Sequence, residues 1–560
     1  MTRLLLLSFV CIGIVVTAVS AAESTYVNPI ISADWSDPGI VRVGDDFYTV
    51  RSTFGWQPGI AIAHSRDLVH WRRVGHVFES HEKIAPGDTR HGIWGLDAGI
   101  HPVTGHVLVY APTRDAEIYV YRAERPEGPY ERRSLGPDIG IDPGFFADDD
   151  GRLYIVTSRA VIHELAADGM SIAREVLRID RSRYKLFEGP AIYKRGGWYY
   201  LLFSDGGTLP HEPSTISVLR APAITGPWEE DPGNPVMFAT GTGTRFEGPA
   251  HGALLEVTDG RWYLVYHAHE PSHYSLGRQM LMEPVEWTED GWWRPVGGRV
   301  PSTTPQRAPL PLVPTTPVQS DAFDAPALGP QWFFLCKPDR SGDTWSLTDR
   351  PGLLRVYPPS GDIGSLEALT AIFQQSVNAK RFSFETRLEF AARATGESAG
   401  LHLYHDPLMN VWLASTVTSA GRVIEVGKHD LGERTVLWSA PHPEGDRVQL
   451  RIEVNGEESA RFFFRPDDAA AWRRIGDEVY FGASGHHLRD GKRGAPDLGW
   501  VGRYKDRTAT REEIVGRAGP RIVNRGGNIW TGTTFGVFAV RGDAPAGATA
   551  DFEDFLVEQP

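Results

Sequence analysis

Five acidic residues head a repeating pattern in this chain. They are Asp37 (DPGIVRVGDDFYTVRST), Asp97 (DAGIHPVTGHVLVYAPT), Asp142 (DPGFFADDDGRLYIVTS), Glu188 (EGPAIYKRGGWYYLLFS) and Glu247 (EGPAHGALLEVTDGRWYLVYHA). Converging carboxylates have two common uses, holding a hard cation and moving protons. The cluster Asp148-Asp149-Asp150-Gly151 has the form of a cation loop, but it sits inside a hairpin and reads as a turn. Proton transfer asks for one carboxylate kept ionised and another kept protonated. A third can raise the acid's pKa by like-charge repulsion. Asp37, Asp142 and Glu188, from three separate repeats, have the types for this, and cleavage of a glycosidic bond needs such a set. Asp97 and Glu247 read equally well as strand caps that bind turn amides.

The repeat must bring these acids together. The five units start 60, 45, 46 and 59 residues apart, and each pairs two β-rich runs across a polar turn. Three segments echo one another after the hairpins and read as outer strands: HSRDLVHW (64–71), RAERPEGPYE (122–131) and RAPAITGPWEE (220–230). Repeats of this length without helical period predict a five-bladed β-propeller over 24–300, in preference to a β-solenoid with shorter coils. In a propeller the first strand of each blade lines the axial channel, so acids at its head converge there.

Composition narrows the partners. The 560 residues carry a net charge of −14, and the chain has no Lys/Arg tract, which argues against nucleic acid or anionic membrane. Residues 1–22, MTRLLLLSFVCIGIVVTAVSAA, read as a secretory signal peptide, with an uncleaved anchor as the alternative. An exported protein, periplasmic or extracellular, with no membrane association after cleavage is the expectation. Removal of Cys11 would leave only Cys336, so no internal disulfide is expected. Phosphate-loop, zinc-helix and nucleophile-elbow motifs are absent from the sequence. Aromatic residues make up 11%, with 17 Trp, which suits core packing and also the stacking of sugar faces.

At the acidic repeats, and most of all over NPIISADWSDPGIVRVGDDFYTVRSTFGWQPGIAIAHSRDLVHW (28–71), the chain resembles glycoside hydrolase family 43, of the β-xylosidase and α-L-arabinofuranosidase kind. The resemblance implies an inverting enzyme on a five-bladed propeller. It makes Asp37 the general base, Asp142 in GIDPGFF the pKa modulator that also orients the acid, and Glu188 in FEGPAIYKRGGWYY the general acid. GPAHGALLEV (248–257) resembles the segment that sets a histidine at the channel centre beside water or a structural Ca²⁺, which here is His251. LGRQMLMEPVEW (276–287) resembles the one whose arginine meets the sugar, which here is Arg278. Trp56, by its match in STFGWQPG, and Phe145 are read as sugar-facing aromatics. The family's W-A-P-[DE] motif becomes IWGLDAGIH (93–101), which keeps Trp94 and Asp97 and loses Ala-Pro. Asp34 and Glu247 rival Asp37 and Glu188, but Asp34 lacks the following Pro-Gly and Glu247 precedes the histidine segment rather than the aromatic hairpin.

Residues 301–318, PSTTPQRAPLPLVPTTPV, read as a stiff Pro-rich linker, free or packed along the propeller. From 319 to 560 alternating strands predict a two-sheet β-sandwich. DAFDAPALGPQW (321–332) and LTDRPGLLRV (347–356) resemble the concanavalin A-like domain that follows the propeller in family 43 β-xylosidases, where it can supply a side chain to the pocket rim. The segment 485–530 reads as an irregular excursion. The whole is an all-β protein whose partner is an oligosaccharide or polysaccharide and which needs no organic cofactor. The leading expectation is exo-acting release of terminal pentose. A carbohydrate-binding propeller without turnover, a glycosyl-transferring or phosphorolytic enzyme, and action on galactose-containing glycans are the alternatives.

Overall fold

The computed structural model describes residues 24–481 and 530–560, apart from positions 90, 114, 207–213, 240–241, 271, 340–341 and 431. The signal-peptide reading of 1–22 lies outside these residues, as does all of 485–530 except Trp530. No helix among the described residues is long and apolar enough to cross a membrane.

Five antiparallel sheets follow one another along the chain, each running in sequence order from its first strand to its fourth. They form blades I (Gly39–Phe78), II (Asp97–Ser134), III (Gly144–Arg178), IV (Glu188–Glu230) and V (Glu247–Pro295). The second strands Val107–Pro112, Leu153–Thr157 and Trp262–His269 are buried along their whole length, because neighbouring blades cover both faces. Outer strands such as Glu131–Ser134 are exposed throughout. The outer-strand reading of 64–71 and its echoes needs correction, since these segments are mainly the turns that lead into the fourth strand. In the first, Asp67 Oδ1 accepts the amides of Val69 and His70 at 2.8 and 2.7 Å, so its side chain takes the backbone out of the sheet.

The ring is closed by the N-terminal segment. The amides of Ile30 and Trp35 donate to the carbonyls of Met280 and Arg278 in blade V at 2.9 and 2.7 Å. Tyr26 and Asn28 side chains donate to the Met282 carbonyl beside them. The Pro-rich stretch is held against the propeller: Gln306–Arg307 pairs with Thr25–Tyr26, and the Val313 amide donates to Asp67 at 2.6 Å.

The second half folds into a seven-stranded and a six-stranded antiparallel sheet. Phe382–Phe390 alternates buried and half-buried side chains with period two, as FSFETRLEF dictates for a strand covered on one face. Phe384, Phe535 and Phe555 form its aromatic centre. This sandwich packs directly on the propeller. The Gln57 amide and the Phe334 carbonyl bond at 2.8 Å, and Trp56 packs edge-on to Phe333 with centroids 5.4 Å apart.

Candidate active site

The three acids sit at blade heads, but not all in one register. In blades I and III the residue before the proline is the acid itself, Asp37 or Asp142, with φ of 54° and 51°. In blades IV and V that left-handed place belongs to Gly189 and Gly248, and the glutamates stand one residue earlier. Left-handed backbone costs an aspartate about 1–3 kcal/mol, and it turns both short carboxylates into the channel mouth. Glu188 reaches the same space with a longer side chain.

Asp37, Asp142 and Glu188 line one pocket of about 130 Å³ together with Trp94, His251 and Arg278. Asp37 is 3% exposed, and its carboxylate is bound from several sides. Arg278 Nη1 donates to Oδ1 at 2.8 Å, the Ser52 hydroxyl donates to Oδ2, and His251 Nδ1 lies 3.4 Å from Oδ1. The Asp37 amide donates to Nδ1 of His267 at 3.0 Å, and His267 stacks on His251. Burial opposes charge on Asp37, but Arg278 first, then His251 and Ser52, together hold its pKa below the ordinary 3.8. Burial drives His267 well below its usual value, which suits its role as a neutral acceptor.

Asp142 goes the other way. Burial and then the Asp37 charge raise its pKa, against the pull of His251. Its Oδ2 accepts the amide of Gly189, the neighbour of Glu188, at 3.3 Å. Glu188 begins the first strand of blade IV opposite Ser204, whose hydroxyl oxygen accepts the His251 amide at 2.8 Å. Gly95 is required here because a Cβ on it would lie 2.4 Å from Asp142 Oδ1. The alanine of the W-A-P-[DE] motif therefore has no room beside Asp142 as it stands.

The aromatic readings divide. Trp94 lines the pocket, but Trp56 and Phe145 do not, and both are corrected. Trp56 is 2% exposed in the seam with the sandwich, because the chain turns at 53–56 (Trp56 N to Thr53 O, 2.9 Å). Phe145 stacks on Tyr110 and fills the space over Gly99 between blades II and III. The rings that sequence reasoning missed are Phe54 and Trp530. Phe54 lies two residues from Trp56 in the same motif, with φ of 48°, and the Arg278 guanidinium sits 5.4 Å from its ring centre. Trp530 comes from the sandwich and meets Phe54 and Trp94 at centroid distances of 5.7 and 6.4 Å. No local signal marks it.

The sandwich also braces the turn that precedes Arg278. Glu458 accepts the Ser275 amide at 2.6 Å, the Thr533 amide donates to Ser275 O at 2.8 Å, and Lys380 pairs with Glu270.

The remaining acids lie elsewhere. Asp34 is ion-paired to Arg51 at 2.6 Å. Asp97 accepts the amides of Ala98 and Phe145 at 2.8 and 2.9 Å, and burial raises its pKa to about 7. Asp148 closes the hairpin turn through its carbonyl and pairs with Lys194. Among the described residues no group of three or more His, Cys, Asp and Glu is arranged to hold a metal ion. Among the described residues His251 Nε2 is buried without a hydrogen-bond partner, and the carboxylates beside it are engaged by Arg278, Ser52 and the Gly189 amide, so the described side chains offer no set of free oxygen donors for direct Ca²⁺ ligation.

An axial pocket with three carboxylates on a five-bladed ring agrees with the comparisons to known proteins. The description Glycosyl hydrolases family 43 matches residues 26–293, and Beta xylosidase C-terminal Concanavalin A-like domain matches 320–505. A xylan 1,3-beta-xylosidase of Vibrio sp is 30% identical over 460 residues, covering 72% of this chain and 82% of that protein. The chain belongs to glycosyl hydrolases family 43. A non-reducing end alpha-L-arabinofuranosidase of Bacteroides ovatus is 29% identical over 445 residues, covering 76% of the family 43 chain described above and 82% of its relative. The crystal structure of a GH43 protein from Bacillus licheniformis superimposes with a TM-score of 0.81 at 29% identity, covering 95% of this chain and 99% of that one. This family 43 protein is therefore a glycosidase with a concanavalin A-like second domain.

Proposed function

We propose that the enzyme is an exo-acting, inverting glycosidase that releases a terminal pentose, β-xylose or α-L-arabinofuranose, from hemicellulose-derived oligosaccharides. The observation that carries this reading is the convergence of Asp37, Asp142 and Glu188 on one small pocket, with Asp37 bound by Arg278 and Ser52. Asp37 is stabilised as an anion while Asp142 beside it is pushed toward the acid form.

In this mechanism Asp37 takes a proton from water as the water oxygen attacks the anomeric carbon. The glycosidic C–O bond breaks on the opposite face, and Glu188 gives its proton to the departing oxygen. Asp142 orients Glu188 through the Gly189 amide, and its partial charge favours the protonated state of a nearby acid. For inversion the carboxyls of Asp37 and Glu188 should stand roughly 6.5–9.5 Å apart to admit the water. A pocket of about 130 Å³, walled by Phe54, Trp94 and Trp530, supports removal of one terminal ring. The names of the Vibrio and Bacteroides relatives support xylose or arabinofuranose. The leader-like residues 1–22 support action outside the cytoplasm.

The test is hydrolysis of a nitrophenyl glycoside panel, with the product anomer followed by proton NMR, for wild type and Glu188→Ala. Cleavage of one pentoside with inversion, and loss of activity on the matching oligosaccharide in the variant, is expected. Retention of configuration would sink the mechanism. A fully active variant would shift the acid to another residue.

A further inference from the structure

A second cavity, of about 620 Å³, lies where blade I, the Pro-rich stretch and the sandwich meet. Its wall carries Arg72 and Arg73 from blade I and the amides of Gln319, Gln331, Gln375 and Asn378. Arg73 stands out by its lack of a counter-ion. Nη1 donates to the Gln331 carbonyl at 3.3 Å, and among the described residues no carboxylate lies within ion-pair distance of it. The nearest acid in charge terms, Asp34, is already held by Arg51 at 2.6 Å and by the Ser36 hydroxyl at 2.6 Å. Asp321, on the same wall, is turned to Trp332 Nε1 at 2.8 Å and the Phe323 amide at 2.9 Å.

The guanidinium is also fixed in place. Its Cζ lies 5.9 Å from the centre of the Trp35 ring and 5.6 Å from that of Phe333, one ring from each domain. Burial first, and then the neighbouring Arg51, lower its pKa to about 9, and Asp34 offsets them only in part. A rigid planar fork of donors is the side chain best matched to a carboxylate. Of the surrounding amides, Gln331 Nε2 donates to Asp321 at 3.3 Å and Gln375 Nε2 to the Gln319 carbonyl at 2.9 Å, while the buried Gln375 Oε1 has no hydrogen-bond partner among the described residues and suits a hydroxyl donor.

We infer that this interdomain groove is a second saccharide site that takes an acidic sugar, with the uronic-acid carboxylate on Arg73 and a ring hydroxyl on the Gln375 side-chain oxygen. The inference rests on the reading of the substrate as a hemicellulosic saccharide, and it gives the enzyme a hold on acid-substituted chains away from the pocket that cuts them.

The experiment is isothermal titration of the full chain with D-glucuronate, D-glucose and acetate, for wild type, Arg73→Met and Arg73→Lys. Glucuronate is expected to bind at least tenfold more tightly than either glucose or acetate. Arg73→Met should abolish that advantage, and Arg73→Lys should keep part of it. Hydrolysis of a neutral nitrophenyl pentoside should be unchanged in both variants, which separates this site from the cutting pocket. Equal binding of glucuronate and glucose would overturn the inference, as would equal binding of acetate, or preference for glucuronate persisting in Arg73→Met. Thermal melting of each variant identifies misfolding, and the Lys variant then decides. Loss of pentoside hydrolysis in wild type would instead count against the glycosidase reading.

Discussion

Arg278 of blade V donates to the Asp37 carboxylate of blade I at 2.8 Å, across the seam where the propeller ring closes. Both residues are almost fully buried, and the same Arg278 lends its carbonyl to the Trp35 amide two residues before Asp37. Closure of the ring and ionisation of Asp37 are therefore one structural event. A buried carboxylate left without its cation would take up a proton.

Arg278→Met should expose this dependence. The acid limb of the kcat/KM–pH profile in wild type is expected below 3.8, because the Asp37 pKa is lowered and the group stays ionised down to that range. Without Arg278 the burial penalty prevails, so the limb should move to higher pH. Activity near neutrality should fall about 10²–10³-fold. An unshifted acid limb in a folded variant would remove Asp37 from the role of base.

Trp530→Ala tests the contribution of the sandwich to the pocket. The ring walls the pocket against Phe54 and Trp94, so its loss should weaken sugar binding more than chemistry. A rise in KM of about 3- to 10-fold, with a smaller change in kcat, is expected from the loss of one aromatic wall. Steady-state kinetics on the preferred pentoside give the answer. A drop confined to kcat would show that Trp530 acts on the acids instead.

Gly95→Ala should damage the site without changing any polar group. The new Cβ would press on Asp142 Oδ1 and on His251 Cε1, 2.4 and 2.8 Å away. Asp142 must then move and loosen its hold on the Gly189 amide, with an expected loss in kcat of about 10–100-fold. A crystal structure of the variant would show the displaced carboxylate. Wild-type kcat would mean that the Asp142–Gly189 bond does not matter for turnover.

Glu283→Gln concerns stability rather than activity. Burial raises the Glu283 pKa from 4.5 to about 7, although Ser302, Tyr266 and Asn28 all donate to it. Between pH 4.5 and 7 the unfolded chain loses this proton while the folded chain keeps it, so the wild type loses stability as pH rises through that window. Glutamine has no such proton. The variant should gain on wild type progressively over the window, by on the order of 1–3 kcal/mol at pH 8 relative to pH 4.5. Denaturant titrations at the two pH values measure it. A constant difference would show that Glu283 does not titrate there.

Much of this enzyme is written in local patterns. The hairpin units follow from period-two apolar runs broken by Gly and Asp turns, which need only neighbouring residues to form. The acids at their heads could be read in the same way, since DPG and EGP recur as short strings. The strings also show the offset, with the acid directly before proline in DPG and one residue earlier in EGP; what the backbone dihedrals add is that the place before proline, Asp37, Asp142 or Gly189, is left-handed.

The sequence by itself determined the five hairpin units and the carboxylates available to an axial pocket, because these depend on residue type and spacing along a few turns of chain, while the fourth strands were misplaced onto turns. Tertiary structure alone decided which rings and charges surround those acids. Phe54 rather than Trp56 faces the pocket because the chain turns between them, and Trp56 is taken by the seam with Phe333. Trp530 and Glu458 reach the site from the second domain, and Arg278 meets Asp37 from 241 positions away. Contacts of that range arise from the packing of whole blades and sheets against one another, and no short stretch of sequence encodes them.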